Sequence, residues 1–186
     1  MLTNSTTSYS SLVLLIIIST SVILGSIIAG DITAKKIATL SGDQVVPPVK
    51  TNASGRATFK HPDSTTMNYK VNITGISHPS SIGVHEGKAG SNGDLIVDLM
   101  KHANIQTIDS GLIMTGSFTA SDLIGQMQGK TILDLVSAMK NGDTYLSVDT
   151  EKYPKGEIRG QIELANPPKP SETGVNQTDN QTEAGN

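Results

Sequence analysis

No cysteine occurs among the 186 residues. A disulfide framework is therefore excluded, and with it the usual compositional sign of an oxidising compartment; a thiol nucleophile is excluded too. Nor is there a run of five basic residues, and a formal charge of −3 with a pI near 5.7 gives no general attraction for nucleic acid, which is not expected as a partner. A Gly-x-Ser-x-Gly elbow, a His-Glu-x-x-His helix and a glycine-rich phosphate loop are all missing. The expectation is a protein that is not an enzyme and carries no cofactor.

What is present falls into three parts: 1–34, 35–165 and 166–186. From Leu12 to Ala29 the chain reads LVLLIIISTSVILGSIIA, uncharged and interrupted only by Ser, Thr and Gly. As a helix it would span ~27 Å. That exceeds a signal-peptide core of about 7–15 residues and lies at the short end of the ~17–25 needed to span a bilayer. Ala29 and Gly30 before Asp31 are small enough for cleavage, although Ile27 or Ile28 is a poor match at the −3 position. Residues 1–34 are thus read as a signal peptide or an N-terminal membrane anchor, with Leu12 to Ala29 as the membrane contact if uncleaved. Lys35 and Lys36 follow a lysine-free N-terminus, which alone would favour a cytoplasmic downstream side. The extracellular character of the downstream chain outweighs that pair.

Residues 166–186 contain one large apolar residue, Val175, and cannot offset their ordering entropy by burial, so a disordered polar tail is expected. No second apolar stretch follows, so a GPI-type anchor is not expected. Asn176 and Asn180 in the tail, and Asn52 and Asn72 in the middle part, stand in Asn-x-Ser/Thr sequons and are glycosylation candidates.

The middle part, roughly 130 residues, is large enough to fold around Val, Ile and Leu without staples. Its dominant period is two. Met67, Tyr69, Val71 and Ile73 alternate with Asn68, Lys70 and Asn72. The same alternation marks Ala57 and Phe59; Leu95, Val97 and Leu99; Leu112, Met114, Gly116 and Phe118; and Ile158, Ile162 and Leu164. Turn-forming residues separate these runs at 52–55, 61–64, 87–93 and 141–143. The fold class predicted is mainly β, an antiparallel sandwich or barrel. One segment differs: Ile132, Leu135, Val136 and Met139 follow helical spacing, which predicts a short helix at about 131–140 capping the sheet and stopped by Asn141-Gly142. Thr119 to Asp122 offer N-cap residues for another helical turn beginning near Asp122.

Three blocks, in order, resemble the CHRD (chordin) domain found in chordin and in many exported microbial proteins. They are Leu40-Ser41-Gly42-Asp43-Gln44-Val45-Val46-Pro47-Pro48-Val49; Ile82-Gly83-Val84-His85-Glu86-Gly87; and Gly142-Asp143-Thr144-Tyr145-Leu146-Ser147-Val148-Asp149-Thr150 with Gly156-Glu157-Ile158-Arg159-Gly160-Gln161-Ile162. The resemblance covers about Lys36 to Leu164. It implies an extracellular binding or scaffolding role, in a protein secreted or anchored at the outer face of the cell membrane, with an extracellular protein, a glycan or an envelope component as partner.

The last block reads as a hairpin. Leu146 and Val148 face one side, Tyr145, Ser147 and Asp149 the other, and a turn at 152–155 returns the chain so that Asp149 lies across from Glu157 and diagonal to Arg159. An Asp149–Arg159 ion pair is expected to help fix that register more than to add stability. Pro47-Pro48 is expected to end a strand.

Members of the CHRD family often carry His-x-His in the second block and a histidine in the third. Here Gly83 stands at the first of these positions, His85 keeps the second and Asp149 occupies the third. His85, Glu86 and Asp149 are the candidate metal ligands. One imidazole with carboxylates falls short of the usual zinc or copper set. A copper- or zinc-handling, redox-related exported protein with a degenerate site at His85 and Asp149 is the alternative function. His61, His78 and His102 are expected in or near turns, outside any ligand pattern.

Overall fold

The computed structural model describes residues 35–165. The strands are β1 (Lys36–Ser41), β2 (Ser54–Lys60), β3 (Thr66–Thr74), β4 (Ser81–Glu86), β5 (Leu95–Asp98), β6 (Asn104–Ile108), β7 (Gly111–Thr119), β8 (Thr144–Asp149), β9 (Ile158–Gln161) and β10 (Glu163–Leu164). Among the described residues one α-helix, α1 (Ile132–Lys140), interrupts them. Residues 1–34, with the apolar segment from Leu12 to Ala29, and residues 166–186, with Asn176 and Asn180, lie outside the described part. Among the described residues no helix is long and apolar enough to cross a membrane.

Alternation becomes packing most directly in β3, where Met67, Tyr69, Val71 and Ile73 are buried while Asn68, Lys70 and Asn72 face water. It pairs with β7 along its whole length and with β2 from Asn68 to Thr74, which packs its inward residues beside those of both neighbours. The strands form one antiparallel sheet in the order β5-β4-β8-β9-β1-β2-β3-β7-β6, with β10 added to β1. The sheet curls as a half-barrel around one core that includes Phe59, Leu112, Val148 and Ile158, the curl being the accumulated right-handed twist of its strands. The expected mainly β antiparallel fold with one helix is therefore the observed one.

Thr131 caps α1: its hydroxyl accepts the Asp134 N–H at 3.1 Å while the Asp134 carboxylate accepts the Thr131 N–H at 2.8 Å. Ile132, Leu135, Val136 and Met139 point inward against β8 and β10. Burying such a side chain is worth roughly 1.5–3 kcal/mol, which a nine-residue helix needs because it is too short to stand alone.

Several local expectations are corrected. Leu95 is half-exposed and Ile96 buried, because a register shift between Val84 and His85 breaks the simple period of β5. Leu164 is 41% exposed on a two-residue strand. The turn expected to begin near Asp122 instead spans Ala120–Asp122 and ends there. β1 stops at Ser41, before the double proline, because the chain turns through Gly42–Gln44 and the Gly42 carbonyl accepts both the Val45 and Val49 N–H groups.

Two basic side chains turn inward. Lys36 shares the buried face of Ala38 and Leu40, and His61, although just past the end of β2, is also buried; neither side chain has a hydrogen-bond partner. Burial, followed by the nearby Lys36 charge, pushes the His61 imidazole below its usual range. Asp122 is shifted for a different reason. The Thr119 N–H, then Lys101 and His102, hold its carboxyl at about 2.

Both groups make the fold less stable in acid, in separate windows. The unfolded chain takes up the His61 proton first, so stability falls as pH drops below ~6.5 and through the lower folded value. The Asp122 contribution is complete above ~3.8 and lost as pH falls through about 2. Urea unfolding from pH 7 to 2 should show both declines. H61F should remove the upper one and D122N should shrink the lower one, which Asp63 and Asp134 share because hydrogen bonds from Thr65 and Thr131 also hold their carboxyls below the usual range; unchanged pH profiles for both variants would contradict this assignment.

Candidate functional site

The hairpin of β8 and β9 adopts the expected register: Ser147 faces Arg159, Val148 faces Ile158 and Tyr145 faces Gln161. On its other side β8 pairs with β4, which sets His85 beside Tyr145 and Gly83 beside Ser147. Since Leu146 and Val148 point into the core, His85, Tyr145, Ser147, Asp149 and Arg159 share the opposite face. There they line a cleft of about 250 Å³, with Asn92, Pro154 and Lys155 contributing from loops.

At the centre of this face is a stack. The His85 and Tyr145 rings lie 5.1 Å apart and 15° from parallel. The Arg159 guanidinium sits 3.4 Å from the Tyr145 ring centroid. Loop 87–93 then folds over it. Arg159 donates from Nη1 to Asn92 Oδ1 at 3.2 Å, and from Nη2 to the carbonyls of Lys88 at 3.0 Å and Ser91 at 2.8 Å. Gly93 anchors the far end of the loop: its N–H donates to the Tyr145 hydroxyl at 3.1 Å, and its carbonyl accepts from His85 Nδ1, also at 3.1 Å. Gln161 Nε2 holds the near end through Gly87 O, Gly142 O and Thr144 O. The Asn92 amide donates to Val46 O, tying the loop to the double-proline segment.

Arg159 is 3% exposed, and burial lowers its pKa. The expected ion pair with Asp149 does not form, although the register that suggested it is correct. Opposite Ser147, the arginine has two diagonals, Tyr145 and Asp149. It takes the first, where a flat ring and three carbonyl acceptors match the planar guanidinium fork. Asp149 instead accepts the Ser147 hydroxyl at 2.8 Å.

Of the candidate ligands, His85 and Asp149 do line one cleft, but Glu86 does not join them. One Glu86 oxygen is buried without a partner. Among the described residues no three His, Cys, Asp or Glu side chains gather into a metal-holding group. His78 contacts Ser77 and His102 contacts Asp122, both away from this face. Asn52 and Asn72 are exposed.

The sequence reading missed the parts played by Tyr145, Asn92 and Gln161. Alternation placed Tyr145 on the outer face, where a side chain is ordinarily wet. The seven-residue turn at 87–93, with its three glycines, was the one signal that a loop could lie flat over that face.

Known proteins bear on this arrangement. The family model of the CHRD domain matches residues 37–162. Chordin of Danio rerio is 27% identical over 129 residues, and chordin of Xenopus laevis 25% over 129 residues, each match covering 68% of this chain. The chain spans only 13% of the length of either relative.

Proposed function

The chain belongs to the CHRD domain family, and on that premise we propose that it is a non-enzymatic binding or structural module, displayed outside the cell and directed at an extracellular protein, a glycan or an envelope component. The observation that carries this reading is the family match, which takes in nearly all of the described residues and every element of the cleft. The chemistry of the cleft agrees with recognition. Its buried arginine and tyrosine, with loop 87–93, form a fixed floor, while His85, Asp149 and Lys155 offer polar contacts at its wall. Preorganised groups of this kind favour binding because little side-chain freedom remains to be lost. Export would follow from the apolar segment from Leu12 to Ala29, with sugar carried at Asn52 or Asn72.

Two measurements on the full chain test the proposal. A membrane-impermeant biotin reagent applied to intact source cells should label it. Washed cell envelopes should also retain the purified chain saturably, and K155E, which reverses a charge on an exposed residue of the cleft, should weaken that retention without changing the fold. Failure of both surface labelling and envelope retention would reject the proposal. One copper or zinc ion per chain, lost in H85A, would replace it with the metal-handling alternative.

A further inference from the structure

The two outer strands of the sheet are treated differently by the fold. β5 is closed off: the Ile124 N–H donates to the Ile96 carbonyl at 3.0 Å, the Gly125–Met127 turn packs along the strand, the register of its pairing is broken between Val84 and His85, and Asp98 places a charge on it. Irregularity, charge and cover are the devices by which sheets avoid pairing with other chains.

β6 has none of these. Its sequence, Asn-Ile-Gln-Thr-Ile, contains no charge, proline or glycine, and its five residues pair with β7 in unbroken register. Among the described residues no other strand pairs with it. Alternate N–H and C=O groups along its outer side therefore face away from β7. All five side chains are exposed, including Ile105 at 42% and Ile108 at 38%.

We propose that β6 is a self-association edge, where a second copy of this chain adds its own β6 antiparallel across a two-fold axis at Gln106 or Thr107. The occupant follows from the strand itself. With the axis perpendicular to the sheet, Ile105 and Thr107 remain on the face of Met114 and Leu112, and Asn104, Gln106 and Ile108 on the other, so both faces continue from one copy into the next. About Gln106 the pairs are Ile105 with Thr107 and Asn104 with Ile108, and no like charges meet. A partner strand carrying either sign of charge would find no counter-charge on β6. Five residues make a small interface, so association should be weak and rise with concentration.

The chain contains no cysteine, which makes the edge directly testable. Either Q106C or T107C, whichever stands on the axis, should form in the full chain a disulfide-linked species of twice 19.5 kDa under mild oxidation, increasing with protein concentration, because a residue on the axis brings its Cβ within bonding range of its own copy. Q126C, also exposed but on the Gly125–Met127 turn, should link several-fold less. Adding I105K to whichever of the two links should suppress linkage while the circular dichroism spectrum stays unchanged. Linkage no greater at 106 and 107 than at 126 would overturn the proposal, including the case where copies meet through the apolar segment from Leu12 to Ala29. Linkage that survives I105K would overturn it as well. These outcomes do not depend on envelope retention or on the cleft.

Discussion

Replacing Arg159 with methionine should lower the unfolding free energy by about 2–3 kcal/mol and release loop 87–93 from the sheet. Two terms oppose each other. Arg159 makes three charge-assisted hydrogen bonds and lies over Tyr145, and each such bond is worth roughly 1.5–3 kcal/mol when acceptors are otherwise left unpaired. Against this, no carboxylate pairs with the buried cation among the described residues, so removing it relieves a desolvation cost. Methionine keeps much of the apolar stem, and the loop carbonyls can turn to water, so the net loss is smaller than the sum of the bonds. Lysine should rescue little. Its point charge cannot reach three acceptors in the plane of a fork while covering the ring. Hydrogen exchange is the discriminating measurement: the Gly93 N–H should lose protection in R159M while the β2–β3 pairing keeps its own. Unchanged stability together with unchanged Gly93 exchange would show that the arginine does not hold the loop.

Gly93→Ala should be at least as damaging, by about 3 kcal/mol, through an unrelated mechanism. A Cβ at this position would meet the carbonyl oxygen and carbon of Glu86, which are backbone atoms of β4 and cannot swing aside as a side-chain tip could. Overpacking of this kind commonly costs 1–3 kcal/mol, and more when backbone must move. The displacement would also pull the Gly93 carbonyl from His85 and its N–H from Tyr145, opening the stack from its far end. Gly90→Ala is the matched comparison. Nothing lies within 4 Å of its Cβ, but its φ of +80° disfavours any side chain, so a loss of about 1 kcal/mol is expected. Thermal unfolding should rank the three chains wild type, G90A, G93A. Equal midpoints for G93A and wild type would mean that loop and strand can separate freely.

The two variants also separate what could be read early from what could not. The hairpin register placing Asp149 opposite Glu157 was legible, since a one-residue slip would have sent Leu146 and Val148 to the wet face. The partner of Arg159 was not legible, because Tyr145 and Asp149 are equivalent diagonals until a loop remote in sequence supplies acceptors beside one of them. β6 was silent for a related reason: a strand with every side chain exposed has no apolar alternation, and only its pairing with β7 identifies it. The helix was readable to within a residue, since its apolar stripe and its Thr131 cap are local features.

Sequence by itself determined the mainly β class, the alternating strands that wall the core, the helix that follows Thr131 and the family resemblance. These depend on which side chains must avoid water and on turn residues acting over a few positions. Tertiary structure alone decided that the strands form one curled sheet, that loop 87–93 roofs the outer face, and that Arg159 lies on Tyr145 instead of pairing with Asp149. It also decided that one sheet edge is covered and the other is left open. Each of these is a contact between segments tens of residues apart, chosen by geometry and acceptor placement that no local pattern encodes.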